Sequence, residues 1–185
     1  YLAGLTRGGG RLWTTNWPEW VEAAAAEATP GSLAFLRYAS SRGVRIFYIT
    51  GREEADRAGT SKNLQRLGFP DISDETLLLR TTEDSKEPRR RWVRERYHVV
   101  LLIGDNLGDC ALEFETGTPA ERASLVEAQA ARFGTTCIVL PNPRYGNWMN
   151  ALYRFQYGLP PSERRARLVQ SLRYFLPNER PARAQ

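Results

Sequence analysis

The sequence contains few of the side chains on which most metal sites and disulfide frameworks depend. Its 185 residues include two cysteines and one histidine. Cys110 and Cys137 have neither the spacing of a zinc site nor that of a redox motif. Because both lie beside apolar segments, we expect buried free thiols, with a single disulfide between them as the alternative. His98 precedes an apolar segment, and we expect it to be structural.

Long hydrophobic runs are also absent. The longest apolar run covers residues 99–103, whereas a membrane-spanning helix needs roughly 20 apolar residues. The chain begins with Tyr1, and no basic and then apolar signal segment follows it, so we expect a processed or truncated product. Hydrophobic residues make up 42% and charged residues 25% of the chain, a balance that predicts one globular domain over residues 1–185.

Charge of one sign is only slightly in excess. The net charge of +5 favours anionic ligands such as phosphate esters, although an arginine-rich composition often reflects nothing more than solvated surface. The basic residues are scattered, apart from residues 89–91 and the segment after Ser162. No stripe of alternating aromatic and basic residues is present, so the sequence predicts no nucleic acid polymer as a partner.

Helical and strand patterns alternate along the chain. The patterns predict strands over 44–49, 77–79, 99–103 and 136–140, and helices over 18–27, 53–67, 85–96, 118–133, 147–156 and 162–174. Leu33, Leu36 and Ala39 share one face of a further helix that Gly43 closes. Alternation of this kind predicts a parallel α/β sheet covered on both sides, in which strand 99–103 is buried on both faces.

Two carboxylates follow the most apolar strand. Asp105 and Asp109 are four residues apart, next to Gly104 and Gly108, and ligands of parallel α/β sheets bind outside the carboxyl ends of the strands. Paired carboxylates suit a hard cation with oxygen ligands, of which Mg²⁺ is the first choice. The alternative is an Asp-rich turn whose side chains cap the local backbone.

Two further groups could hold a phosphate. Thr50 offers a hydroxyl at a strand end, and Gly51 can direct a backbone N–H at an anion. Lys86 begins the helix that leads into the Asp-bearing strand and can bind phosphate as a point charge. The alternatives are a simple helix-capping threonine and a solvated lysine.

The order of these groups resembles motifs two, three and four of the haloacid dehalogenase (HAD) superfamily. The resemblance is to subfamily IIIB, the class C acid phosphatases, which include lipoprotein acid phosphatases with 5'-nucleotidase-like activity. It spans roughly residues 13–150. The segments that carry it are 17–21, 30–38, 47–52, 66–69, 104–109 and 140–148.

This resemblance implies the fold and identifies a missing part. The implied fold is α/β: a HAD-like Rossmannoid three-layer sandwich with a parallel sheet and a small α-helical cap, with residues 1–31 as the cap or substrate-contact region. Class C enzymes carry an Asp-x-Asp-x-Thr motif on their first strand, and this motif is absent from the sequence. Family spacing places it just before Tyr1, so we expect the 185-residue chain alone to be inactive and poorly folded.

The resemblance also implies residue roles around the phosphate. Thr50 would bind phosphate oxygens, Lys86 would neutralise them, and Asp105 would ligate Mg²⁺ directly. Asp109 would orient Lys86 or a metal-bound water. Gly51 stands where the family usually has Asn, which affects how the substrate is oriented.

Aromatic residues would grip a flat leaving group. Trp17 and Tyr145 match the expected positions, with Trp20, Trp148 and Tyr1 as secondary candidates. For Trp20 and Trp148, core or dimer contacts are the preferred interpretation.

The implied function is Mg²⁺-dependent hydrolysis of small-molecule phosphomonoesters, including nucleoside monophosphates, through an aspartyl-phosphate. The implied setting is a secreted, periplasmic or lipid-anchored protein of the bacterial envelope that can form a homodimer. The first alternative is a non-catalytic phosphate- or nucleotide-binding protein without the nucleophile. The second is a phosphate-binding regulator of the response-regulator type, against which the aromatic and Pro-Asn segments argue.

Overall fold

A computed structural model describes Tyr1 and residues 14–172 of the chain. The chain divides into two compact units, Tyr1–Glu95 (unit 1) and Arg96–Gln185 (unit 2). Most of the first half of the predicted cap or substrate-contact region and the last two residues of the predicted helix 162–174 lie outside the described residues. The single-domain organisation stays a prediction. Among the described residues, no helix has the length and apolar character needed to cross a membrane.

Unit 1 is built on one parallel strand pair. Tyr48 lies opposite Leu77 and Ile49 opposite Leu78, which confirms the expected parallel pairing. The elements in chain order are α1 (Trp17–Ala23), α2 (Ser32–Ser41), β1 (Tyr48–Glu53), α3 (Arg57–Leu67), β2 (Leu77–Arg80) and α4 (Glu87–Arg94).

Strand β1 is displaced from the predicted strand at 44–49. It begins at Tyr48 and continues to Glu53, so Thr50 and Gly51 lie within it and do not end it. The predicted start fails because the N–H of Ile46 donates to a carboxylate oxygen of Asp71 at 2.9 Å. The register of β1 and β2 shifts between Ile49 and Glu53, so the strand is irregular where the phosphate-binding residues were predicted.

Helix α3 holds the chain segment that follows α1. The side-chain amide of Asn63 accepts from the N–H of Ala26 at 2.8 Å and donates to its carbonyl at 3.1 Å. At Gly59, an added Cβ would lie 2.4 Å from the carbonyl oxygen of Val21, so the two helices pack closely there because residue 59 has no side chain. This packing fixes α1 and its tryptophans against α3.

Tyr48 couples the stability of unit 1 to pH. Its hydroxyl donates to the carbonyl of Pro70 at 2.7 Å, and burial, with a contribution from Asp71, raises the pKa of Tyr48. The unfolded chain therefore ionises first, near the usual tyrosine pKa of about 10. We expect the free energy of unfolding to be unaffected below that pH and to fall as the pH rises through it.

The Tyr48→Phe variant tests this dependence. We expect the variant to be less stable than the wild type by about 1 kcal/mol at pH 7, because it lacks the hydrogen bond. Between pH 9 and 11, its free energy of unfolding should fall less than that of the wild type. Urea denaturation at both pH values measures this, with the exposed Tyr38 changed to Phe as the control. Identical pH dependence in all three proteins would contradict the role of Tyr48.

Unit 2 contains the second parallel pair. Leu102 lies opposite Cys137 and Gly104 opposite Val139. The elements in chain order are β3 (Leu102–Gly104), α5 (Pro119–Ala128), β4 (Cys137–Val139), α6 (Asn147–Leu152) and α7 (Pro161–Gln170). The predicted start of the helix at residue 118 is confirmed, and a capping box between Thr118 and Glu121 begins α5. The helix ends at residue 128, and a 3₁₀ turn covers residues 130–132.

The expected burial of strand 99–103 on both faces is wrong. The strand covers three residues, and Ile103 and Val100 are 43% and 50% exposed. Within the described part of the chain, β3 pairs with β4 alone, so one edge of β3 and part of its apolar surface stay uncovered. The core of unit 2 lies at Phe114, Cys110 and Cys137, which are at most 2% exposed.

The two cysteines form a disulfide, so the expectation of free thiols is wrong. Their Cα atoms are 6.0 Å apart and 27 residues separate them in sequence. Burial beside apolar segments was predicted correctly. The disulfide is the alternative that the sequence left open, and the sequence did not decide it because the bond depends on the segment after β3 lying against the start of β4.

Reducing this disulfide is expected to lower the free energy of unfolding by about 3 to 4 kcal/mol, because the unfolded chain regains the entropy of a closed loop of this length. Denaturant unfolding with and without dithiothreitol measures the change. The Cys110→Ala/Cys137→Ala variant is the matched control, since the reductant should not alter it. An unchanged unfolding midpoint of the wild type on reduction would contradict the prediction.

Candidate functional site

The carboxylate of Asp105 is held at the carboxyl ends of β3 and β4. It directly follows β3, and its Oδ1 accepts from the side-chain amide of Asn106 at 2.7 Å. Its Oδ2 accepts from the amide of Asn142 at 2.8 Å and from the hydroxyl of Tyr145 at 3.4 Å. Asn142 and Tyr145 belong to the loop after β4, so two strand ends converge on one carboxylate.

Asp109 shapes the loop that carries Asp105. Its Oδ2 accepts from the backbone N–H groups of Asp105 at 3.1 Å and Asn106 at 3.0 Å. A Cβ added to Gly104 would lie 2.3 Å from this same oxygen, so the carboxylate packs against the glycine. The structure therefore confirms that Oδ2 of Asp109 caps the local backbone. The predicted effect of Asp109 on Lys86 or a bound water stays a prediction.

Tyr145 contacts the site through its hydroxyl. Burial, and then the negative charge of Asp105, raise the pKa of Tyr145, so the phenol keeps its proton and can donate it to the carboxylate. The loop is held in place by Asn142, whose Oδ1 accepts from the backbone N–H groups of Arg144 and Tyr145. Trp148 donates its indole N–H to the carbonyl of Tyr145 at 3.0 Å, which supports the same loop.

The surroundings of Asp105 suit a hard cation. Its three hydrogen-bond donors are neutral, and among Tyr1 and residues 14–172 it forms no ion pair. The same residues contain no cluster of three or more His, Cys, Asp or Glu side chains able to enclose a metal. Mg²⁺ does not need such a cluster, because it binds one or two carboxylates and completes its shell with water and substrate phosphate. The residues present therefore fit Mg²⁺ with Asp105 as a protein ligand.

Thr50 and the start of α4 are connected within unit 1. Arg89 donates one guanidinium N–H to the carbonyl of Thr50 and another to the carbonyl of Ser85, at 3.1 Å. Arg89 therefore bridges β1 to Ser85, the residue before Lys86. The side chain of Lys86 is partly buried. The Thr50 hydroxyl accepts from the N–H of Arg52 at 3.2 Å, a local contact typical of a turn.

Gly51 faces open space. A Cβ added there meets nothing within 4 Å, and the residue is exposed. The backbone therefore does not require glycine for packing at this position, and a larger side chain would fit.

An aromatic cluster lies beside β1. Trp17 stacks on Trp20 with ring centroids 5.3 Å apart, and Tyr1 packs its ring against both. The guanidinium of Arg52 lies over both indoles, 5.3 Å from the ring centroid of Trp17 and 5.1 Å from that of Trp20. The indole N–H of Trp17 donates to Asp56 at 3.2 Å, so this predicted substrate residue is held in a defined orientation.

The structure places the predicted residues in two groups. Thr50, Gly51, Lys86 and Trp17 belong to unit 1, and Asp105, Asp109 and Tyr145 belong to unit 2. Within unit 2 all three lie together.

Sequence reasoning missed Arg89 and Asn142. The position of Asn142 in the loop that follows a strand was a usable signal. No such signal marks Arg89. It stands in a run of three arginines at residues 89–91, and its neighbour Arg90 has a different role, since it pairs with Glu87.

Comparison with known proteins identifies the family. The model of the HAD superfamily, subfamily IIIB (acid phosphatase), matches residues 1–148. The class C acid phosphatase from Bacillus anthracis is similar in structure, with a TM-score of 0.84 and 35% identity over 94% of this chain and 72% of that chain. Its form with tungstate bound gives a TM-score of 0.85 and 36% identity, over 94% of this chain and 73% of that chain.

Curated relatives include Acid phosphatase 1 of Solanum lycopersicum, which is 32% identical over 99 residues, or 49% of this chain and 38% of the relative. The chain spans between 35% and 41% of the length of the curated relatives reported.

The structural similarity confirms the expected α/β fold of the HAD type. The family model covers β1, which contains Thr50, and the segments after β3 and β4 that carry Asp105 and Asn142. The chain therefore belongs to subfamily IIIB of the HAD superfamily, the acid phosphatase subfamily.

Proposed function

We propose that this protein is a Mg²⁺-dependent acid phosphatase that hydrolyses phosphomonoesters. The observation that carries the proposal is the Asp105 carboxylate, which three neutral donors hold at the ends of two parallel strands. A carboxylate oriented in this way, which forms no ion pair with another residue in the described part of unit 2, is complementary to a bound cation. Bound Mg²⁺ would neutralise phosphate charge as phosphoryl transfer proceeds.

In the proposed site, Thr50 and Lys86 bind the phosphate. The threonine hydroxyl donates to a phosphate oxygen, and the ammonium of Lys86 balances charge as a compact cation. Support comes from Arg89, which ties the carbonyl of Thr50 to that of Ser85 and so fixes the two segments together. Asp109 maintains the loop from which Asp105 projects.

The nucleophile is proposed to lie upstream of Tyr1. No Asp-x-Asp-x-Thr motif occurs in the 185 residues. Asp105 is assigned to the cation and Asp109 accepts from backbone N–H groups of its own loop, so neither carboxylate serves as the nucleophile that this chemistry needs. Each parallel pair has two strands within the described residues, and the exposed surface of Ile103 would suit a further strand. The chain also spans 72% of the similar Bacillus anthracis structure.

The proposed reaction has two steps. A carboxylate oxygen of the upstream aspartate attacks phosphorus while the bond to the leaving oxygen breaks, and a second aspartate gives that oxygen a proton. Water, deprotonated by the second aspartate, then attacks the aspartyl-phosphate and releases phosphate. A relative with tungstate bound supports an anion site in this family, since tungstate is an oxyanion.

We extend the proposal to nucleoside monophosphates as substrates. The paired indoles of Trp17 and Trp20, with Arg52 over them, offer a flat, cationic surface suited to a base. Stacking of one base on an aromatic ring contributes about 1–3 kcal/mol. The KM for a nucleoside monophosphate should rise in Trp17→Ala while that for p-nitrophenyl phosphate changes less.

The deciding experiment measures phosphate release from p-nitrophenyl phosphate by the full-length protein, with Mg²⁺ and with a chelator. We expect hydrolysis with Mg²⁺ and none with the chelator. If the full-length gene product encodes no Asp-x-Asp-x-Thr upstream of Tyr1 and releases no phosphate, the alternative of a non-catalytic phosphate- or nucleotide-binding protein replaces this proposal.

We also propose that the protein is secreted or associated with the cell envelope and that it forms a homodimer. The Cys110–Cys137 disulfide supports an oxidising compartment, because such bonds persist outside the reducing cytosol. Cell fractionation and sedimentation of the full-length protein would test compartment and oligomeric state separately.

A further inference from the structure

The loop that carries Asp105 is closed by a covalent bond. Cys110 directly follows Asp109, and its disulfide partner Cys137 is the first residue of β4. Cys137 also lies opposite Leu102, the first residue of β3. The chain from Leu102 to Cys110 therefore starts beside Cys137, passes through Asp105 and returns to the same residue.

Noncovalent contacts accompany the disulfide at the far end of this loop. The N–H of Cys110 donates to the carbonyl of Leu107 at 2.9 Å, a contact within the loop itself. The guanidinium of Arg132 donates to the carbonyl of Cys110 at 3.3 Å, and the Arg132 side chain is 39% exposed. The near end is held by the strand pairing, in which Leu102 and Leu140 donate to carbonyls across the pair.

We propose that Cys110 and Cys137 are positioning residues for the metal ligand Asp105, so that the disulfide maintains the affinity of the site for a divalent cation. The inference rests on the proposed function, since it takes Asp105 to bind the cation. Breaking the bond removes the covalent restraint at the far end of the loop, where Asp109 holds the N–H groups of Asp105 and Asn106. The loop can then adopt several conformations, and only one of them holds the carboxylate of Asp105 in the orientation that binds the cation.

The chemistry of the break is a dithiol exchange. Dithiothreitol supplies two electrons and two protons, leaves thiols at Cys110 and Cys137, and is itself converted to its cyclic disulfide. Both sulfur-bearing residues are buried, at 2% and 0% exposure, so the reduced thiols stay in the core while the loop gains freedom. Loss of residues that orient a metal ligand typically costs 10–100-fold in affinity.

The experiment compares the full-length protein in oxidised and reduced form with the Cys110→Ala/Cys137→Ala variant. Mn²⁺ is the probe, and free Mn²⁺ measured by electron paramagnetic resonance gives its Kd. We expect the Kd to rise about tenfold or more in the reduced protein and in the variant. The Mg²⁺ concentration for half-maximal activity should rise in parallel, while kcat at saturating Mg²⁺ changes less.

Amide hydrogen exchange separates positioning from general stability. The N–H groups of Asp105 and Asn106 should be accelerated by reduction at least tenfold more than that of Arg122, which donates within the first turn of α5 at 3.0 Å and reports the loss of overall stability. Equal acceleration at all three would show that the disulfide acts only through the overall stability of unit 2 and would overturn the positioning role.

The Asp105→Asn variant distinguishes failure of the positioning role from failure of the proposed metal site. If this variant weakens Mn²⁺ binding but reduction of the wild type does not, the positioning role is wrong and the proposed function stands. If Asp105→Asn binds Mn²⁺ as tightly as the wild type, the metal site is misassigned and both proposals fail.

Discussion

Replacing Asp105 with Asn is expected to lower kcat/KM of the full-length protein by about 10³-fold, equivalent to about 4 kcal/mol of transition-state stabilisation. The substitution keeps the shape of the side chain and removes its charge. It also places an amide where Asn142 and Asn106 now donate to carboxylate oxygens, so one donor must face another. We expect both the cation and the orientation of the loop to be lost.

Steady-state hydrolysis of p-nitrophenyl phosphate across a range of Mg²⁺ concentrations measures the effect. The Asp74→Asn variant is the matched control, because the side chain of Asp74 is 97% exposed and pairs with Arg57 on the surface of unit 1; it should retain full activity. A similar Mg²⁺ dependence and rate in Asp105→Asn and the wild type would remove Asp105 from the metal site.

The elements that the sequence predicts correctly have local causes. The capping box at Thr118 and the helix end at Gly68, which has φ 78°, are decided by side chains within a few residues of the terminus. Parallel pairing also follows from local patterns, because strands alternate with helices along the chain. The same reasoning places Asp105 at a strand end, where ligands of parallel sheets bind.

Other features depend on residues distant in sequence and were not predictable. The start of β1 is delayed because the N–H of Ile46 bonds to Asp71, 25 residues away. The disulfide requires two segments 27 residues apart to meet. The donors of Asp105 include Asn142, 37 residues further along the chain, and only the register of β3 with β4 brings them together.

Asp109 shows how one residue can satisfy two interpretations. The sequence offers either a metal-site carboxylate or a turn-capping one, and the structure shows the capping contacts directly. These contacts do not compete with a role near the metal, because they hold the backbone of the residue that would bind it. The hydrogen bonds that cap this turn are thus the same ones that position Asp105 in the site.

Gly146→Ala is expected to disrupt the site more than it destabilises the fold. Gly146 has φ 130° and ψ −179°, a region that residues with a side chain avoid at a cost of about 1–3 kcal/mol. An added Cβ would lie 1.7 Å from Oδ1 of Asn106. The Asn106 side chain would have to swing away, and its amide would then no longer donate to Asp105. We expect the free energy of unfolding to fall by about 2 kcal/mol and the Kd for Mn²⁺ to rise about tenfold.

Gly134→Ala provides the matched control in the same unit. Gly134 also has a positive φ, 83°, but a Cβ there would meet nothing within 4 Å. This variant carries the backbone strain alone, so it should lose about 1–2 kcal/mol of stability and keep the Mn²⁺ affinity of the wild type. Urea denaturation and Mn²⁺ titration of both variants separate strain from displacement of Asn106. Equal Mn²⁺ affinity in the two variants would show that Asn106 does not position Asp105, because only the substitution at residue 146 reaches it.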